Sequence, residues 1–401
     1  MRIIINECKK ILDIRIILLL CMFSILYYMT FTQIYRYPTG GQVTNTKYDI
    51  PFTAELVKEW GPKWKVKDEK QYQEKHQELE RGFAKIIKQD QELSKRGIVD
   101  YEIFNKKYEE LGQKTTLSKQ EKELGKILEN YVFYNDKTSK IFLDIQALEH
   151  IREFQGSEYG VSDKKYKELK ADGFFDGTKL YQKAIEKRVK RDYISLVHEG
   201  VFYILQEDMV TIGGLIMICF FALIIPYQLK QRLRQVIPIL ATTKTGRRIY
   251  QIQLIASALA ALFVGILQMA VYGIIWHLKE LSVFWRCESW GIASNSYWCD
   301  KLSFGTYMLL YMALILLFAI ASIVIIDFIG RTIGNYMGAV AVSIPVCGVM
   351  MFLMRKIYYM LFLITNDQVL AYWELYALAT WLIVMLLFYK IRSKRWKKVD
   401  L

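Results

Sequence analysis

"VTIGGLIMICFFALIIPYQLKQRLRQVIPILATTKTGRRIY", Val210 to Tyr250, begins as an unbroken apolar run and ends as a segment without a single acid. The apolar part, Val210–Tyr227, has the length of roughly 18 residues or more that reads as a membrane span. Leu229–Tyr250 then carries six basic residues: Lys230, Arg232, Arg234, Lys244, Arg247 and Arg248. Cations crowded beside apolar runs mark membrane topology. This pairing decides the class, an integral membrane protein.

The rest of the chain divides along the same line. Of 401 residues, 53% are apolar and the net charge is +14. Tyr37–Asp208 is rich in Lys, Glu, Gln and Tyr, whereas Met209–Tyr389 is mostly Leu, Ile, Ala, Met and Phe. A charge of +14 also raises nucleic acid as a partner. No aromatic interleaving or binding fold accompanies the cations, so nucleic acid is not expected.

Six spans are expected: Ile16–Tyr35, Val210–Tyr227, Ile252–Trp276, Tyr307–Ile326, Gly334–Met354 and Trp373–Tyr389. The first is as long as a bilayer crossing, while a signal-peptide core has only about 7–15 residues, so it reads as a permanent anchor. "IYYMLFLIT", Ile357–Thr365, would cover only about 13 Å as a helix, against a hydrocarbon core of about 30 Å. It reads as part of a re-entrant or interfacial helix (about 355–370), with Arg355 and Lys356 snorkelling at its edge. The alternative is a sixth span that begins early.

Three cation clusters set the orientation: Arg2, Lys9, Lys10 and Arg15; the six of the loop; and Lys390, Arg392, Lys394, Arg395, Lys397 and Lys398. The positive-inside rule puts all three in the cytoplasm of a multi-pass cell-membrane protein, which requires an even number of spans. Residues 36–208 and the loop His277–Phe304 then face outward.

The outward domain reads as helical. Leu79, Phe83, Ile86 and Leu93 recur at helical spacing, as do Leu124, Ile127, Leu128 and Tyr131, and Ile141, Ile145, Leu148 and Ile151. A further helical run, Leu180–Leu205, is expected to lead into span two. The domain is either a solvated bundle without a ligand or a cap that recognises cargo. Cys287 and Cys299 share the outer loop, where an oxidising compartment favours a disulfide; two thiols and a distant His277 make a poor metal site.

Catalytic signatures do not appear. "ADGFFDGTK", Ala171–Lys179, has the wrong spacing for a phosphate-binding loop, and no zinc-protease or nucleophile-elbow pattern occurs. Asp327 and Glu374 read as span-end groups rather than as an intramembrane ion relay. The chain is not expected to be an enzyme, and neither cofactor nor metal is expected on it.

The layout resembles the permease subunits of ABC-2 type transporters. "INECKKILDIR", Ile5–Arg15, is similar to the family's interfacial elbow helix (residues 1–15), with Glu7 and Lys10 at its Glu-x-x-Lys start. "ILATTKTGRRIYQIQLIASALA", Ile239–Ala260, is similar to the stretch that runs from the cytoplasmic loop into span three. The likeness covers residues 1–35 and 209–401; the roughly 170-residue outward insertion departs from it.

The resemblance implies an all-α polytopic fold and an ATP-driven exporter half. It would pair as a homodimer or heterodimer with a similar permease and bind separate ATP-binding subunits that hydrolyse ATP-Mg. The loop 228–250 would be the coupling element, with Arg232, Arg234, Thr242, Thr243, Lys244, Gly246, Arg247 and Arg248 as its contacts. Thr242, Thr243 and Gly246 add turn chemistry that attraction to membrane lipid does not require. The cargo implied is amphipathic, such as an antimicrobial peptide or a lipid-linked molecule. The alternative is a membrane-anchored binding or sensor protein that transports nothing.

Overall fold

The computed structural model describes residues 2–36, 46–65, 68–114, 116–157, 167, 170–171, 173, 176–189, 193–233, 249–289, 296–297, 301–365 and 367–399. It is overwhelmingly helical, and six helices are long and apolar enough to cross a membrane.

The N-terminal helix α1 (Arg2–Ile11) ends before Asp13, whose side chain caps α2 (Ile14–Phe31) by accepting from the Arg15 N–H at 3.0 Å. That cap makes α1 a separate element and not the start of the first span. After α2, a short helix α3 (Gln33–Arg36) leads toward the polar domain.

Within that domain run α4 (Thr46–Trp60), β1 (Lys63–Lys65), α5 (Glu69–Ile87), α6 (Gln91–Lys95), α7 (Tyr101–Gln113) and α8 (Lys119–Glu129). A π-helical turn (Asn130–Tyr134), α9 (Asp136–Ser157), α10 (Lys179–Val189) and β2 (Tyr193–Ser195) follow among the described residues. Local chemistry sets the helix starts. Asp90 accepts from the Glu92 and Leu93 N–H groups, Asp100 from Ile103, and Ser118 with Glu121 forms a capping box. The hydrogen bond from Tyr131 holds the Asp90 carboxyl below its usual range.

The periodic apolar residues pack largely as expected, with Ile87 rather than Ile86 in the core. Phe83 meets Tyr101 and Phe104 edge-on, at centroid distances of 5.8 and 5.2 Å, in a cluster with Phe142. The run Leu180–Leu205 is not one helix. β2 interrupts it, pairing antiparallel with β1 so that Trp64 faces Ile194.

From there the chain enters α11 (Glu199–Leu233), a helix of 35 residues. At 1.5 Å per residue it is about 52 Å long, well beyond the roughly 30 Å of a bilayer core. One helix therefore belongs to both halves. A single buried cluster follows it, from Trp64 and Tyr72 in the domain to Phe318 and Leu378 among the spans. The remaining spans are α12 (Ile249–Leu278), α13 (Phe304–Thr332), α14 (Tyr336–Tyr358) and α15 (Trp373–Val399).

α11 is the axis of the bundle and packs most extensively on α13, then on α14 and α12. Its apolar window is 78% buried, against 17–22% for α2, α14 and α15, which present apolar side chains outward. The helices approach closely at glycines: a Cβ on Gly213 would lie 2.9 Å from the Ile315 Cγ2, and one on Gly330 2.8 Å from the Gln228 Cβ.

The helix expected at about 355–370 does not form, nor does the sixth span begin early. α14 ends at Tyr358, and Met360 and Phe362 take left-handed φ values of 58° and 61°. A helix cannot continue through such residues. Leu363–Ile364 instead pairs with Ser296–Tyr297. The turn is buried, and its backbone is satisfied by side chains: the Tyr307 hydroxyl donates to the Leu361 carbonyl at 2.8 Å, the Tyr311 hydroxyl to that of Tyr358, and Glu374 accepts from the Phe362 N–H at 3.0 Å. Arg355 pairs with Glu207 at 3.3 Å.

Cys287 is a free thiol, so the expected disulfide does not engage it. Its sulfur is fully buried and faces the Leu196 carbonyl at 3.8 Å, in the seam between the domain and the loop after α12. Burial pushes the thiol up to about 12. Cys299 lies outside the described residues.

Candidate functional site

The two ends of the bundle differ. One carries the polar domain. At the other converge α1, the end of α11, the start of α12 and the end of α13, so the described flanks of the basic loop lie beside the N-terminal helix.

A polar cluster is buried at this loop end. Asp327 and Arg331, one helical turn apart on α13, form an ion pair of 2.8 Å, with side chains 1% and 2% exposed. Both loop flanks attach to it. From the last turns of α11, Gln228 donates to Asp327 at 2.5 Å. From the first turn of α12, Gln253 accepts from Arg331 at 2.8 Å, and the Tyr250 ring lies under the guanidinium at 5.0 Å. Buried charges persist only when paired and hydrogen-bonded, and here the pairing ties three helices together.

The N-terminal helix α1 joins through a neighbouring contact. Glu7, buried at the α11 surface, accepts from the Tyr227 hydroxyl and from Lys10 at 2.6 Å. Cys8 donates to the Ala256 carbonyl of α12 at 3.5 Å. Thus Tyr227, adjacent in sequence to Gln228, links α1 to the loop flank.

Arg232 does something the sequence did not suggest. Its guanidinium donates to the Arg331 and Thr332 carbonyls at 3.0 and 2.7 Å. It therefore caps the C-terminus of α13, where backbone carbonyls lack helical partners and a cation is favoured. Arg234, Thr242, Thr243, Lys244, Gly246, Arg247 and Arg248 lie outside the described residues.

Several of these residues escape a linear reading. Asp327 and Glu374 look like span-end groups, yet they are 0% and 2% exposed. Asp208 is also fully buried at the domain end, where it accepts from the Gln33 and Ile34 N–H groups and so caps α3. The i,i+4 spacing of Asp327 and Arg331 in an otherwise apolar helix was the available signal. Nothing local points to Gln228, Gln253 or Tyr227. Among the described residues, no three His, Cys, Asp or Glu side chains are grouped to hold a metal ion.

Chemically, the cluster has no nucleophile–base pair facing open space. Its geometry is that of a joint, in which displacing either loop flank strains a buried ion pair. Comparison with family models, with curated proteins and with solved structures found no match.

Proposed function

We propose that this chain is the permease half of an ATP-driven exporter similar to the ABC-2 type, moving an amphipathic cargo. A separate subunit would hydrolyse ATP and dock on the loop 228–250. One observation carries the reading. The elbow helix and both flanks of the basic loop meet at the buried Asp327–Arg331 pair and its neighbours. A loop that only attracted lipid would need its cations, but not a shared buried root in α11, α12 and α13. Force on the loop would reach α13 and the central helix α11 directly, and α11 continues into the polar domain.

The test keeps charge and changes shape. Thr242→Ala, Thr243→Ala and Gly246→Leu together leave all six cations in place, so insertion and lipid attraction survive. Docking is lost, because unpaired interface groups cost about 1–3 kcal/mol each. The measurement is ATPase retention when the triple variant is purified from native membranes at matched expression. Retention equal to wild type would reduce the segment to a cationic anchor.

Orientation is checked separately. With the loop end in the cytoplasm, a cysteine at Ser393 is shielded from an impermeant maleimide in intact cells, and one at Gln120 is labelled. Labelling at Ser393 would reverse the orientation and remove the coupling role of the loop.

A further inference from the structure

On the flank of the bundle, α12, α13 and α15 enclose an apolar groove of about 490 Å³. This lies within the roughly 300–1,000 Å³ that ligand pockets occupy. Leu254, Ile255, Val324, Leu382 and Leu386 form its walls. Ile255 is 47% and Leu386 59% exposed, so the groove opens sideways onto the surface that acyl chains would cover.

Polar groups occur only toward its loop end. Gln251 donates to the Tyr389 hydroxyl at 3.3 Å, and both line the groove. About one turn farther along α15, the Arg392 guanidinium stands 4.8 Å from the Phe328 ring centre, and its buried Nε has no hydrogen-bond partner among the described residues. Lys390 and Lys394 are exposed beside it. The one acid of α15, Glu374, is at the far end of the helix.

An apolar slot at bilayer depth with a cationic mouth at its edge complements an amphiphile with an anionic head. A guanidinium suits phosphate in particular, because its planar fork can donate two parallel hydrogen bonds. We propose that the groove binds one anionic phospholipid, with an acyl chain between α12, α13 and α15 and its phosphate at Arg392. The site adjoins the joint described above: Tyr250 stacks on Tyr389 at 6.2 Å and also lies under Arg331. A bound lipid would therefore brace the α12 flank of the basic loop. This inference stands independently of the transport reading.

Native mass spectrometry of the full-length protein in detergent tests it, with phosphatidylglycerol and phosphatidylcholine of identical chains as probes. Wild type is expected to retain a single phosphatidylglycerol about tenfold better than phosphatidylcholine. Arg392→Gln should bring the two lipids level. Ala321→Phe, which fills the slot, should remove both, and Arg355→Gln at the opposite end should change neither. Thermal midpoints establish that each variant is folded. Equal retention by wild type overturns the proposal without any variant. A preference that survives Arg392→Gln, or binding that survives Ala321→Phe, overturns it too. A dimer that Ala321→Phe dissociates, with no lipid bound, would assign the groove to a second copy and overturn the lipid assignment.

Discussion

Replacing Asp327 by alanine destabilises the protein by about 3–5 kcal/mol, the cost of leaving one member of a buried ion pair alone. Arg331 is 2% exposed on its side chain, so no solvent is at hand to take over its charge. Gln228 loses its acceptor in the same step. The double variant Asp327→Leu, Arg331→Met is the control. With both charges gone the desolvation penalty disappears, and much of the stability returns even though Gln228 and Gln253 lose their partners. Thermal unfolding in detergent reads both variants. A single variant within about 1 kcal/mol of wild type would mean that the pair is hydrated and the joint is not real. The double variant also separates structure from function: if the joint transmits force, it should be folded and yet impaired in any activity that depends on the loop.

The second large effect lies at the other extreme of the molecule. Phe83→Ala should cost about 3–5 kcal/mol, the range for deleting a buried aromatic ring from a packed core. Phe83 is fully buried against Tyr101, Phe104 and Phe142. Its cluster is distinct from the one that runs along α11. The damage should therefore stay in the distal part of the domain. Hydrogen exchange should rise across α7 and α8 and remain unchanged across α12 and α13. Equal acceleration in the spans would show that the two clusters unfold as one unit. If the spread is confined, the variant offers a way to disable the polar domain alone and ask whether the proposed function needs it.

The spans were legible because length and apolarity are properties of a segment judged against a bilayer of fixed thickness, and no partner is needed to recognise them. All six were found where the apolar runs lie, although Val210–Tyr227 proved to be the middle of a much longer helix. The helical run expected to lead into span two does so from Glu199, and its union with the span in one unbroken helix is stabilised by packing on α13 and α3. The Glu-x-x-Lys spacing in the N-terminal helix was legible for a similar reason, since Glu7 and Lys10 stand one turn apart and bond to each other. That Glu7 also receives the Tyr227 hydroxyl was not.

Where the reading failed, the deciding partners were distant. Ile357–Thr365 is apolar enough for a helix, but its path follows from Tyr307, Tyr311 and Glu374, which bind the backbone of a left-handed turn. Leu180–Leu205 was broken by a strand whose partner, Lys63–Lys65, lies far earlier in the chain. Cys287 had a plausible neighbour in sequence, yet tertiary packing turned its sulfur toward Leu196.

By itself, then, the sequence determined the membrane class, the six spans and the helical character of the domain, because hydropathy and periodicity act over a few turns. Only the tertiary structure decided that Asp327 and Arg331 are buried and that Gln228 and Gln253 reach them from opposite flanks of one loop. Burial of a charge is a property of the surfaces that close around it. Those surfaces come from four helices that meet only when the chain is folded.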